Sequence, residues 1–114
     1  MNKEILMVVD AVSNEKGVDK EIIFEALEAA LAAAARKKHN EEWDVRVAID
    51  RKTGDYDTFR RWKVFADDST ELETPDRELR LEDGLDIDPK AMPEGFVEEP
   101  MESVAFGRIA AQQA

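Results

Sequence analysis

Cysteine is absent from the 114 residues, which excludes a disulfide framework, a thiolate nucleophile and a thiolate zinc site. A reducing compartment suits such a chain, and the cytoplasm is the expected location. Histidine occurs once, as His39, directly after a basic run. A general base needs a partner within hydrogen-bond reach, and no neighbour in the sequence nominates one. The five glycines, Gly17, Gly54, Gly84, Gly95 and Gly107, stand singly and far apart, so there is no glycine-rich cradle for a nucleotide phosphate. No apolar run approaches the roughly 20 residues of a membrane-spanning helix. The short hydrophobic stretch within Met1 to Asp10 carries Lys3, Glu4 and Asp10 and lacks the small-residue cleavage site of an export signal. Acidic residues are plentiful, but Asp50, Asp55 and Asp57 lack the ordered alternation and terminal glutamate of a calcium loop. The stretch Asp83-Gly84-Leu85-Asp86-Ile87-Asp88 puts apolar residues where ligands belong, and reads as an irregular acidic loop. No catalytic residue, cofactor, metal or membrane partner is expected.

What is present is a polarised charge. The net charge is −11, and Asp67 to Glu102 holds 14 acidic residues against Arg77, Arg80 and Lys90, which accounts for all of it. The remainder is neutral, and within it Arg36 to Lys63 carries nine bases against six acids. Such asymmetry predicts a surface with two faces. An acid excess opposes free association with nucleic acid, because phosphate binding depends on Lys and Arg displacing counterions.

At this length one domain with one core is expected. Asn2 is placed to cap a first helix reaching to about Val12, where Ile5, Val8, Val9 and Val12 repeat as i, i+3, i+4, i+7. Ser13 to Gly17 breaks that pattern. Asp19 caps a second helix whose buried side carries Ile23, Leu27, Ala30, Leu31 and Ala34, with Arg36-Lys37-Lys38 at the negative end of its dipole. From Trp43 the period changes to two, with Val45, Val47 and Ile49 on one face of a strand. Lys52 to Asp55 supplies a turn, and Tyr56 to Phe65 returns as an aromatic strand, completing a hairpin. That second strand has apolar residues on both parities, so it carries either a bulge or two buried sides, and the faces of Arg60 and Arg61 stay unassigned. Beyond Ala66 the pattern predicts short strands at Glu78 to Leu81 and Phe96 to Glu98, turns at Asp83-Gly84, Asp88-Pro89 and Met92 to Gly95, and a Pro100 that either ends the last strand or marks it as an edge. Ser103 opens a last helix in which no glycine or proline closes the run to Ala114. The expected fold is α+β: two N-terminal helices packed on a small, mostly antiparallel sheet with a long hairpin. Residues 1–102 are expected to form one domain, and 103–114 to begin a helix that is cut short.

Two groups of residues bear on binding. The bases Arg36, Lys37, Lys38, Arg51, Lys52, Arg60 and Arg61 are either ordinary charged faces or a convergent phosphate site, with Tyr56 or Phe59 available for stacking. Leu6, Met7, Ile22 and Phe24 exceed what one narrow helical stripe needs, so they widen the core or form a groove for a partner helix.

Met1-Asn2-Lys3-Glu4-Ile5-Leu6, the block Ile49 to Trp62 (IleAspArgLysThrGlyAspTyrAspThrPheArgArgTrp) and Phe106 to Gln112 (PheGlyArgIleAlaAlaGln) resemble, in this order, the N-terminal domain of the bacterial transcription elongation and termination factor NusA. The resemblance implies a non-catalytic α/β head that binds RNA polymerase beside the RNA exit channel, chiefly at the flap tip of the β subunit, and the fragment by itself is expected to be a monomer. Pausing, termination and antitermination would be modulated from there. It also implies a linker helix to RNA-binding domains that lie outside this chain. By position it makes Arg36, Lys37 and Arg108 candidates for weak contact with a nascent RNA hairpin, beside the further cations Lys38, Arg51, Arg60 and Arg61. The apolar helical face, Leu6, Met7, Phe24, Leu27 and Leu31, becomes a candidate polymerase contact. The rival reading is an acidic adaptor, or nucleic-acid mimic, that presents Asp67 to Glu102 to a basic protein.

Overall fold

The fold is that of a computed structural model, which describes residues 2–107. Helix α1, Lys3–Lys16, starts where Asn2 Oδ1 accepts the Ile5 N–H at 3.2 Å. It runs one turn beyond the expected end at Val12. Ser13 and Asn14 are poor helix formers but do not break a helix, and the first residue able to take the left-handed cap is Gly17, at φ 65°. Helix α2, Lys20–Lys38, starts at Asp19, whose carboxylate accepts the Glu21 N–H at 2.9 Å.

Strands β1, Asp44–Ile49, and β2, Tyr56–Phe65, form the expected hairpin, with Ile49 opposite Tyr56 and Asp44 opposite Arg61. A parallel strand β3, Glu78–Arg80, pairs with the far end of β2, and an antiparallel strand β4, Phe96–Met101, covers Thr58 to Lys63. Lys63 pairs with both Glu78 and Phe96, while β1 stops at Arg61. β1 and β3 therefore succeed one another along one edge of β2, and β4 takes the other. Pro100 lies in β4, an edge strand, where proline in a sheet belongs.

The register assigns every face. Val45, Val47 and Ile49 lie on the same side as Thr58, Arg60, Trp62, Val64 and Val97. Arg46, Phe59, Arg61, Lys63, Phe96 and Glu98 lie on the other. Pairing along β2 is continuous from Tyr56 to Lys63, so the mixed parity reflects two used faces and not a bulge. On the helix side, two apolar clusters sit next to each other. Ile5, Val9, Ile23, Phe24, Leu31, Ala32 and Ala35 pack with β1, Val104 and Phe106, while Trp62, Val64 and Val97 pack with Leu79, Leu81, Ile87 and Ala91. On the open side the rings are covered by cations, Arg46 lying 4.7 Å from the centroid of Phe59 and Arg61 4.3 Å from that of Phe96.

One element differs in kind from the sequence expectation. Leu81–Ile87 is a short helix, α3, where Asp83-Gly84 was expected to turn and Asp83 to Asp88 to form an irregular loop. Gly84 is buried, and a Cβ there would lie 3.2 Å from Val64 Cγ2. The glycine serves close packing of helix on sheet, a requirement that local turn chemistry does not reveal. Among the described residues no helix is long and apolar enough to cross a membrane.

Candidate functional site

The alanine run Ala29 to Ala35 holds α2 close to its neighbours, with Ala32 and Ala35 buried among Val104, Phe106 and the β1 valines. The helix then ends in Arg36, Lys37 and Lys38, and His39 turns the chain away. The His39 N–H donates to Ala35 O at 3.1 Å, and its ring stacks on Trp43 at 5.2 Å. Histidine here is a helix end and a stacking partner. Lys37 and Lys38 are exposed and Arg36 is half-buried. Among the described residues these three cations make no ion pair or side-chain hydrogen bond.

Lys38 lines a small open cavity of about 230 Å³ with Glu102, Ser103, Val104 and Ala105, so the basic turn borders the segment that leads to residue 107. That segment is fastened to the sheet. The Tyr56 hydroxyl donates to Val104 O at 2.7 Å, and Thr58 Oγ1 lies 2.7 Å from Ser103 Oγ. Tyr56 is thereby a packing residue and not a stacking platform, and burial raises the pKa of its phenol. Arg108, the remaining cation of the expected set, lies outside the described residues, as do residues 109–114 of the expected linker helix.

The other arginines of that set are spent on the fold. Arg51 donates through Nε to Glu21 Oε1 at 3.0 Å, through Nη1 to Glu28 Oε2 at 2.7 Å, and through Nη1 to Ile49 O at 2.9 Å. A further contact joins its Nη2 to Glu21, and the guanidinium lies over Phe24 at 4.9 Å. These carboxylates raise its pKa further above the ordinary value. Arg60 lies on the helix side of β2 between two indoles, 3.8 Å from the Trp43 centroid and 4.4 Å from that of Trp62, and its Nη2 donates to Asp76 O at 2.8 Å. Burial lowers its pKa. Arg61 is on the opposite face, 3.3 Å from Glu98, which Arg46 grips at 2.6 and 2.9 Å. A phosphate reaching Arg51, Arg60 or Arg61 would have to compete with these partners inside the fold. The signal was available for Arg51 alone: Glu21 and Glu28 stand seven residues apart on one side of α2.

The apolar candidates divide in the same way. Phe24 and Leu31 are core residues at 4% and 1% exposure, which takes them out of any surface contact. Leu6 and Leu27 are half-buried against the first cluster, Leu6 beneath the hairpin loop at Gly54. Met7 remains open, and so does Ile22. The sequence left Ile22 open between core and surface, and the structure puts it outside while its neighbours Ile23 and Phe24 are both buried. No group of three or more His, Asp or Glu is placed to hold a metal among the described residues.

Several carboxylates acquire their stability role through the same contacts. Hydrogen bonding from Arg46 holds Glu98 below the usual carboxylate range, Arg51 does so for Glu21, and backbone N–H groups do so for Asp50 and Glu78. A depressed folded-state pKa contributes stability that is present above the ordinary carboxylate value of about 4.3 and disappears as pH falls through the folded value. The urea midpoint is therefore expected to fall between about pH 5 and pH 3. Glu98→Gln should start lower at neutral pH and show a shallower decline, and equal slopes for the two proteins would exclude this role for Glu98.

Residues 4–114 match the family model described as the NusA N-terminal domain. The chain is 35% identical over 113 residues to the transcription termination/antitermination protein NusA of Rickettsia conorii, and 34% identical to that of Rickettsia prowazekii. In each case 99% of this chain is covered but only 22% of the relative, so the chain spans about a fifth of the length of these proteins. The solution structure of the N-terminal domain of NusA from B. subtilis matches with a TM-score of 0.70 and 38% identity, covering 98% of this chain and 87% of that one.

Proposed function

Because the chain belongs to the NusA N-terminal domain family, we propose that it is the polymerase-binding head of a transcription termination and antitermination factor, seated beside the RNA exit channel at the flap tip of the β subunit. It acts by binding and leaves the chemistry to the polymerase. The observation that carries this reading is the division of the cations: Arg51, Arg60 and Arg61 are held inside the fold, while Arg36, Lys37 and Lys38 are left unpaired on one turn beside the departing chain. Arg108 is added to this set on the strength of its motif.

A cationic turn next to an emerging transcript lowers repulsion between phosphates and favours a hairpin over extended RNA. The net charge of −11 makes RNA binding weak in free solution, so the effect depends on the head being docked. Docking uses the exposed apolar side chains Met7 and Ile22 of the helical layer.

In the full-length factor, Lys37→Glu combined with Lys38→Glu should abolish most of the stimulation of pausing at a hairpin site, with polymerase affinity held within about threefold. Met7→Asp with Ile22→Asp should instead weaken polymerase binding about tenfold or more, since each buried side chain of this size contributes roughly 1.5–3 kcal/mol. Unchanged pausing in the first variant would end the RNA-contact reading. Unchanged affinity in the second would end the docking assignment.

A further inference from the structure

Between the loop 66–77 and the junction of β3 with α3 lies an open cleft of about 300 Å³, at the lower end of the range that binding sites occupy. Its apolar walls are Leu72, Pro75 and Leu79, and the carboxylates of Glu73, Glu78 and Asp83 stand around them. The walls are fixed in place. Glu78 Oε1 accepts the N–H groups of Glu73 at 2.8 Å and Thr74 at 2.5 Å, while the Glu82 N–H donates to Asp67 Oδ1 at 3.0 Å. Arg80, the one base lining the cleft, donates through Nη1 to the carbonyls of Asp67 at 2.7 Å and Ser69 at 3.0 Å, so that nitrogen is committed to the loop. Glu73 and Asp83 are exposed, and their carboxylates make no ion pair or hydrogen bond among the described residues.

These features select the occupant. Residues 67–102 carry the chain's whole acid excess, so an anionic guest is repelled. A neutral apolar guest would desolvate the carboxylates without pairing them, which costs free energy. A lysine or arginine side chain satisfies both halves of the site: its methylene stem lies along Leu72, Pro75 and Leu79, and its cation reaches the free carboxylates of Glu73 and Asp83. We propose that this cleft docks a basic, extended polypeptide segment of a partner protein through a single lysine or arginine side chain that enters it. The site is independent of the basic turn on α2 and of the apolar pair Met7 and Ile22.

The test is a titration of the full 114-residue chain, methyl-labelled for NMR, with a short unstructured peptide in which lysine and arginine alternate with glycine. Saturable shifts are expected at the Leu72 and Leu79 methyls. Glu73→Gln with Asp83→Asn should weaken the peptide about tenfold or more, as the loss of charged hydrogen bonds implies. Glu71→Gln with Asp86→Asn, the same charge change outside the cleft, should weaken it less than about threefold. Leu72→Ser should remove the part of the binding that survives high salt, because the apolar contact is not screened. Equal losses in the two charge pairs, shifts spread evenly along residues 67–102, or no saturation would overturn the proposal. So would the same methyl shifts from an RNA oligonucleotide of equal length.

Discussion

Gly54→Ala is expected to lower the unfolding free energy by about 3 kcal/mol or more, the largest stability loss from any single methyl group added to this chain. Gly54 has φ 77°, and an ideal Cβ there would lie 2.2 Å from the backbone oxygen of Asn2 and 3.1 Å from Leu6 Cγ. The left-handed backbone alone costs a non-glycine residue about 1–2 kcal/mol. The clash adds to this, because the atom in the way is main chain and cannot rotate aside. Relief requires the start of α1 to lift off the hairpin loop, which breaks the 2.9 Å hydrogen bond from the Asn2 N–H to Thr53 O. Hydrogen exchange should locate the damage in the first turns of α1 before the sheet is affected. Gly17→Ala is the control: Gly17 also has positive φ, but nothing lies within 4 Å of its added Cβ, so it should cost only about 1 kcal/mol. Equal losses at the two positions would mean that the contact with Asn2 plays no part.

Arg60→Ala should cost about 2–4 kcal/mol, although Arg60 looks in sequence like a surface cation. Its guanidinium fills the space between the two tryptophans, one at the end of β1 and one in the second apolar cluster, and anchors the loop before β3 through Asp76 O. Truncation leaves a gap at the join of the two clusters and an unmet carbonyl. The partial burial of a charge offsets part of the gain from these contacts, which is why the expected loss is smaller than for a core leucine of similar size. Trp43 and Trp62 are the only tryptophans, so intrinsic fluorescence reads this position directly and should shift to the red in the variant. Arg60→Lys keeps the charge but not the flat stacking surface, and should recover less than half of the loss. An Arg60→Ala protein with unchanged fluorescence and a midpoint within experimental error of the parent would show that the stack has no energetic role.

Both predictions concern positions whose meaning depends on partners distant in sequence, and the same division runs through the whole molecule. The two long helices, the hairpin and the short strands of the acidic half follow from period and punctuation: Asn2 and Asp19 cap, Val45, Val47 and Ile49 alternate, and Pro100 marks an edge. Local rules suffice there because the caps, turns and apolar periods that define each element are carried by residues close together in the chain. They fail at α3, where the glycine that signals a turn is used for close packing on Val64. They also fail at Arg51, Arg60 and Arg61, because a charged side chain has no period that reveals whether its partner is solvent, a carboxylate or a ring.

The sequence by itself determined the α+β class, the hairpin and its turn, the polarised charge and the family, since all of these are properties of residue type and order along the chain. Only the tertiary structure decided which cations remain available. Seven basic residues stood as RNA-contact candidates, and folding brought Glu21, Glu28 and Glu98 and the rings of Trp43, Trp62 and Phe96 within a few ångströms of three of them. A guanidinium that stacks and pairs inside the fold would have to give up those contacts to meet a phosphate. Lys37 and Lys38 have no such contacts to lose, and that difference is the reason for proposing the last turn of α2 as the RNA-facing surface.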